Sequence, residues 1–145
     1  MSVNLMPVFI AKAPGRLCEG LCSLLENQPS IKLMGVIQNE ADLVQSLHSF
    51  PSAIILLDID LFGKSIFDIC LRLKRESSQA GFIILVDTIE QKKKGIAAGA
   101  NEAFMKGYTA NELLKTIQRI YYARLNNLPS DSKSMNQTDE RRMPL

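Results

Sequence analysis

The sequence is short of the residues that usually carry catalysis or bind metal ions. It has a single histidine, His48, no tryptophan and three cysteines, Cys18, Cys22 and Cys70. Because the cysteine number is odd and the spacing is not that of paired metal ligands, we expect reduced thiols and neither a disulfide framework nor a zinc site. A glycine-rich phosphate loop and a Ser-His-Asp set are also lacking, which argues against the enzymes that use them.

Long apolar segments and a strong net charge are missing too. No run approaches the length of a membrane span, and the amino terminus does not resemble a secretory signal. The net charge of +2 over 145 residues is too small to predict nucleic-acid binding by the bulk of the chain. With 46% apolar and 22% charged residues, the composition is typical of a globular protein. Because the sequence shows neither a span nor a signal, we expect a cytoplasmic location and no membrane partner.

The most informative stretch is residues 52–62, SAIILLDIDLF. Its run of Ile and Leu without alternation is typical of a strand buried on both faces of a parallel sheet, and the run stops at Asp58. Functional side chains of open α/β sheets gather at the carboxyl ends of the strands, so Asp58 is a candidate functional residue. The alternative is that Asp58 only begins a turn.

Five strand and helix segments alternate along the chain. This alternation predicts a doubly wound, three-layer α/β domain with a five-stranded parallel sheet. The expected strands are residues 7–11, residues 31–37, the run ending at Asp58, residues 82–86 and residues 101–106. The expected helices span residues 17–27, residues 39–50, residues 66–76, residues 90–98, and a last amphipathic helix that starts with a capping box at Thr109.

Apolar periodicity ends near residue 125. We therefore expect one domain over residues 1–125 and a flexible tail or linker over residues 126–145. Two basic runs have alternative interpretations: Lys92-Lys93-Lys94 is either a solvated helix face or a docking site for an acidic partner, and Arg141-Arg142 is either ordinary linker or a contact to DNA phosphates.

Residues 8–124 resemble the receiver domain of bacterial response regulators. VFIAKAPGRLCEGLCSLLE is similar to the first strand and helix of the NarL/FixJ subfamily, AIILLDIDLFG to the phosphoacceptor strand, and GANEAFMK to the fifth strand. The resemblance implies a flavodoxin-like (βα)5 fold, with Asp58 at the phosphorylated aspartate and Lys106 at the lysine that contacts the phosphoryl group. The segment ERRMPL resembles the linker before a LuxR-type helix-turn-helix domain, which implies a DNA-binding domain further along the full-length chain.

The sequence departs from the receiver pattern at several site positions. The two acids expected after the first strand are replaced by Lys12 and Ala13, so we expect poor Mg²⁺ binding and assign no metal ligand, cofactor or catalytic residue. Asp87 stands at the hydroxyl position after the fourth strand, with Thr88 next to it, and a carboxylate there would repel a phosphoryl group on Asp58. The aromatic switch position corresponds to Ala103.

These departures favour an atypical receiver that is not an enzyme and that controls transcription without phosphorylation, through dimerisation and protein contacts. The alternative is a conventional receiver, phosphorylated at Asp58 by a histidine kinase with Mg²⁺. A third hypothesis, from another class, is a flavodoxin-like enzyme or nucleotide binder that shares only the fold.

Two structural expectations follow from the leading hypothesis. The strand ends should bring Lys12, Asp58, Asp87 and Lys106 into one crevice, where two cations face two carboxylates and Lys12 takes the place of a metal ion. We also expect a homodimer that forms through the last helix, around Ile117, Ile120 and Tyr121, together with the short helix before it. We do not expect this domain itself to bind DNA.

Overall fold

A computed structural model describes residues 5–126 of the chain. The chain divides into two compact units, residues 1–110 and residues 111–145. The predicted tail over residues 126–145 and the Arg141-Arg142 pair lie outside the described residues, apart from Asn126 at the end of the last helix. The domain boundary near residue 125 therefore stays a prediction.

The first unit consists of five strands and five helices in its described part. Within this unit β1, β2 and β4 are each followed by one helix, and β3 is followed by two. In chain order the elements are β1 Met6–Ala11, α1 Arg16–Glu26, β2 Ile31–Ile37, α2 Glu40–Ser49, β3 Ile54–Asp58, α3 Ile59–Phe62, α4 Ser65–Glu76, β4 Gly81–Val86, α5 Ile89–Ala97 and β5 Glu102–Met105.

All five strands are parallel, in the order β2-β1-β3-β4-β5. This order confirms the predicted doubly wound sheet. Because crossovers between parallel strands are right-handed, α1 lies on one face of the sheet and the helices that follow β2, β3 and β4 lie on the other.

The core explains why β3 and β4 have continuous apolar sequences. Alternate residues of each strand point to opposite faces, and all five residues of β3 and all six of β4 are buried. One set of alternate residues of β3 and β4 packs in a single cluster with side chains of α2 and α4. The cluster includes Ile55, Leu57, Phe82 and Ile84 of the strands, Leu43 and Leu47 of α2, and Ile66, Ile69 and Leu73 of α4. The other set, including Ile54, Leu56, Ile83 and Leu85, is equally buried towards the face covered by α1.

The sequence patterns located the strands to within about two residues, but they missed α3. This single turn begins directly after Asp58, whose side chain caps it by accepting a hydrogen bond from the amide of Asp60 at 2.8 Å. Gly63, with a φ of 63°, ends it in the left-handed conformation that glycine adopts without strain. Four residues are too few to show a helical period in the sequence.

The described part of the second unit is a helix, α6, which spans Ala110–Asn126 and so begins with the last residue of the first unit. Of the residues predicted for the dimer patch in this helix, Ile117 and Ile120 are buried and Tyr121 is partly exposed, so only part of that patch is open to a partner. Tyr122, which was not predicted, is 55% exposed. No helix within residues 5–126 is both long and apolar enough to cross a bilayer.

Candidate functional site: a lysine-aspartate cluster at the strand ends

The candidate site lies at the carboxyl end of the sheet. β1 ends one residue before Lys12, β3 ends at Asp58, β4 ends one residue before Asp87, and β5 ends one residue before Lys106. Because the strands are parallel and adjacent, their ends place these four side chains together, as the sequence predicted. Asp60, which the sequence analysis did not select, joins them from α3.

Asp58 is at the centre of the cluster and is almost fully buried, with 1% of its side chain exposed. Its Oδ2 accepts a hydrogen bond from the ammonium group of Lys12. Its Oδ1 accepts the Asp60 amide hydrogen bond and lies 3.2 Å from Nζ of Lys106. Both carboxylate oxygens are therefore occupied by donors from the chain itself.

Lys106 connects the three carboxylates. Its Nζ donates to Oδ2 of Asp60, lies 3.2 Å from Asp58 and lies 3.3 Å from Oδ1 of Asp87. Asp60 and Asp87 are about half exposed or more, whereas Lys106 is one-third exposed. The cluster thus has a buried centre and a solvated rim.

The contacts shift the titration of the central groups. Burial alone would raise the pKa of Asp58, but hydrogen bonds from Lys12, from the Asp60 amide and from Lys106 lower it, and the net pKa is below the usual value. Burial would lower the pKa of Lys106, but its bonds to Asp60 and Asp58 outweigh burial and raise it well above the usual value. All of these contacts therefore favour the charged forms at neutral pH.

The charge count differs from the expected one. The sequence predicted two cations facing two carboxylates, but the additional Asp60 gives two lysines and three aspartates, or a net charge of −1 with all groups ionised. The prediction that the cluster is neutral is therefore wrong, because it omitted one carboxylate. A residual negative charge makes the cluster a poor host for a further anion.

Comparisons with known proteins identify similar folds among solved structures. No family model and no curated protein matches the sequence, but many solved structures match the fold. The receiver domain of a DNA-binding response regulator (merR) from Colwellia psychrerythraea 34H is 24% identical, with a TM-score of 0.71 over 81% of this chain and 98% of its own. A LuxR-family two-component response regulator from Aurantimonas sp. SI85-9A1 is 17% identical, with a TM-score of 0.71 over 83% of this chain and 86% of its own.

A third similar structure comes from a protein of a different kind. It is the receiver domain of a modulated diguanylate cyclase from Desulfovibrio desulfuricans G20, 23% identical, with a TM-score of 0.68 over 85% of this chain and 99% of its own. The chain has the receiver fold. The predicted flavodoxin-like architecture is thereby confirmed.

The hydroxyl group that follows β4 takes part in a helix cap. Thr88 caps α5, its Oγ1 accepting from the amide of Gln91 at 3.1 Å. In return, Oε1 of Gln91 accepts from the amides of Asp87 at 2.8 Å and Thr88 at 3.2 Å. The hydroxyl group of Thr88 therefore caps α5, and the residue after β4 that contacts Lys106 is Asp87, through its carboxylate.

Ala103, which the sequence analysis matched to the aromatic switch position, is fully buried. α5 passes close to it, because a Cβ placed at Gly95 would lie 3.9 Å from Cβ of Ala103 and 3.2 Å from Cδ1 of Ile84. Two small residues make this approach possible. The neighbouring Phe104 instead pairs with Tyr108, with ring centroids 5.6 Å apart.

The receiver fold also implies a divalent cation beside the central aspartate, and the residues here do not fit one. Mg²⁺ requires several hard oxygen ligands in near-octahedral geometry. Here the ammonium of Lys12 contacts Oδ2 of Asp58, and Ala13 offers no side-chain oxygen. Within residues 5–126, no group of three or more His, Cys, Asp or Glu side chains is arranged to hold a metal ion.

Proposed function

We propose that this chain is an atypical response-regulator receiver that acts through protein contacts and without phosphorylation of Asp58. In this role it is a signalling module, not an enzyme. Control of transcription, through a helix-turn-helix domain in the full-length protein, is the output that we propose. Two proteins with a similar fold, a DNA-binding response regulator and a LuxR-family response regulator, support that output.

The observation that carries the proposal is the Lys12–Asp58 contact. A phosphoryl acceptor must present a carboxylate oxygen to the donor, and phosphoryl transfer needs a cation to neutralise the charge that develops. Asp58 is 1% exposed, and Lys12 and Lys106 bind its two oxygens. Lys12 supplies the positive charge permanently, so the fold has a fixed cation where a conventional receiver has an exchangeable one.

The test uses the phosphoryl mimic beryllofluoride with millimolar Mg²⁺. We expect no saturable change in the amide NMR signals of Asp58 and its neighbours, and no added mass after incubation with acetyl phosphate. The variant Lys12→Asp/Ala13→Asp, which restores the two acids, is the matched positive control. Saturable shifts centred on Asp58 and Lys106 of the unmodified chain would contradict this proposal and favour the alternative, a conventional receiver that a histidine kinase phosphorylates at Asp58.

We also propose that the chain forms a homodimer through the exposed part of α6. Tyr122 is a large exposed side chain on that helix, and its ring lies 5.6 Å from that of Tyr121. We expect light scattering at micromolar concentration to give about twice the chain mass of 16.1 kDa, and Tyr122→Glu to reduce it to the monomer value. A monomer mass that does not change with concentration would contradict the dimer.

A further inference from the structure

Two of the three cysteines of the chain lie one helical turn apart on α1. Cys18 is buried, with 4% of its surface exposed, and Cys22 is partly exposed. The thiol of Cys22 forms a hydrogen bond with the thiol of Cys18, so the two sulfur atoms are neighbours. The pair is therefore a candidate site with two sulfur ligands, which solvent reaches through Cys22.

The helix sets a distance between the two side chains that suits a bridging ion better than a disulfide. Residues four apart on a helix have Cβ atoms roughly 5–6 Å apart, whereas a disulfide requires about 3.5–4.5 Å between its Cβ atoms. An ion that joins two thiolates in a straight line separates the sulfur atoms by about 4.6 Å, twice a metal–sulfur bond of roughly 2.3 Å. Cys18 and Cys22 are able to provide that separation while α1 stays helical.

Within residues 5–126 the pair has no third ligand arranged beside it for a metal ion. The remaining thiol of the chain, Cys70, and its single histidine, His48, lie on α4 and α2. Those helices cover the opposite face of the sheet from α1. A site with two sulfur ligands does not suit Zn²⁺, which takes four ligands, and it favours a soft ion that is stable with two thiolates.

The surroundings of the pair favour an ion whose complex is neutral. Burial raises the pKa of the Cys22 thiol, and Cys18, Glu26 and Glu19 raise it further, because all of these factors disfavour negative charge at this sulfur. A divalent ion bound by two thiolates has no net charge, whereas Cu(I) bound by two thiolates leaves one negative charge. The pair is therefore better suited to a soft divalent ion, of which Hg(II) is the chemical example.

We propose that Cys18 and Cys22 bind a soft divalent ion of the Hg(II) type on α1, as a linear and neutral bis-thiolate complex. The ion forms one bond to each sulfur atom, and each thiol releases its proton to solvent, so the protons that leave balance the charge of the ion. Because one helix holds both thiolates, binding to the pair is far tighter than binding to either thiol alone. The site is separate from the Asp58 cluster, so this inference does not depend on the proposed function.

The test is a competition for Hg(II) between the reduced full chain and a small monothiol, followed by native mass spectrometry. We expect the unmodified chain to bind one ion with the loss of two hydrogen atoms. Cys22→Ser should lower the affinity at least about 100-fold, because it leaves a single ligand. Zn(II), supplied in the same way, should remain with the monothiol because the pair offers it too few ligands.

The matched control moves one thiol to a different side of the helix. Cys22→Ser/Ser23→Cys keeps the number of cysteines, and Ser23 is exposed. This variant should release the ion as readily as Cys22→Ser does, because its thiols no longer lie one turn apart. Circular dichroism checks that both variants are folded. A measurement that needs no variant is alkylation of the unmodified chain, in which the bound ion should protect Cys22.

Four results would overturn the inference. Equally tight binding by Cys22→Ser/Ser23→Cys would show that the helical spacing does not matter, and one ion shared by two chains would show that the ligands come from separate molecules. Alkylation of Cys22 in the presence of the bound ion would place the ion elsewhere. Retention of Zn(II) would contradict a site with two ligands.

Discussion

Removing the charge of Lys12 tests whether this lysine replaces a metal ion. The change Lys12→Met keeps most of the apolar stem and deletes the ammonium group that binds Asp58. Asp58, 1% exposed, would then keep only Lys106 at 3.2 Å and the Asp60 amide as partners. The fold should survive with reduced stability.

The magnitude follows from what remains around the carboxylate. Breaking a fully buried ion pair costs roughly 3–5 kcal/mol, but Lys12 is 16% exposed and Lys106 stays in place. We therefore expect Lys12→Met to lower the free energy of unfolding by about 2–3 kcal/mol at pH 7. In the double variant Lys12→Met/Asp58→Asn, no buried charge is stranded, and about 1–2 kcal/mol should be recovered as a coupling energy.

The assay is urea unfolding followed by circular dichroism, since the chain has no tryptophan to report on folding. The pH dependence adds a second test. In the unmodified chain the lowered pKa of Asp58 contributes stability above the unfolded pKa, and that stability is lost as the pH falls through the folded value. In Lys12→Met the burial that raises the pKa of Asp58 is less opposed, so protonation should relieve the loss and the gap between the two proteins should narrow towards acidic pH.

Two results would refute this reasoning. If the losses caused by Lys12→Met and Asp58→Asn are additive, the side chains do not depend on each other. If the difference in stability between Lys12→Met and the unmodified chain is the same at neutral and acidic pH, the ammonium group acts through packing and not through the charge of Asp58.

Two further predictions use the same unfolding measurement. The restored variant Lys12→Asp/Ala13→Asp should gain stability on addition of Mg²⁺, because the ion binds only its folded state, whereas an equal response of the unmodified chain would argue against Lys12 as the fixed cation. Gly20→Ala, with nothing within 4 Å of the added Cβ, should stabilise α1 by about 0.5–1 kcal/mol. Gly95→Ala should stabilise the fold less than Gly20→Ala or should destabilise it, because its Cβ would lie 3.2 Å from buried Ile84. Equal increases in the free energy of unfolding for the two variants would show that α5 is able to shift away from Ile84.

The sequence allowed prediction of the sheet because its central strands are continuous apolar runs. The apolar runs that end at Asp58 and Val86 are too short to span a membrane and have no alternation, so strands buried on both faces were the prediction for both. Strand ends in a parallel sheet are adjacent, so the grouping of Lys12, Asp58, Asp87 and Lys106 followed from topology alone.

Asp60 could not be found in the same way. It lies two residues beyond its strand, and only the turn of α3 brings its carboxylate back to Lys106. The signal was the Asp-x-Asp spacing after β3, in which the first aspartate caps a helix through the amide of the second. The use of Thr88 as a cap was similarly readable from Gln91 three residues later, which completes a capping box.

The Gln91 side chain affects whether the carboxyl end of β4 is able to bind an anion. Its amide oxygen accepts from two successive backbone amides, those of Asp87 and Thr88, and successive amides of this kind are what a loop normally offers to an anion. An incoming anion would have to exchange those hydrogen bonds for its own, at little net gain. Lys12 at Asp58 and Gln91 at the amides of Asp87 and Thr88 thus occupy groups that an ion would otherwise bind, so an ion that enters has to displace part of the chain itself.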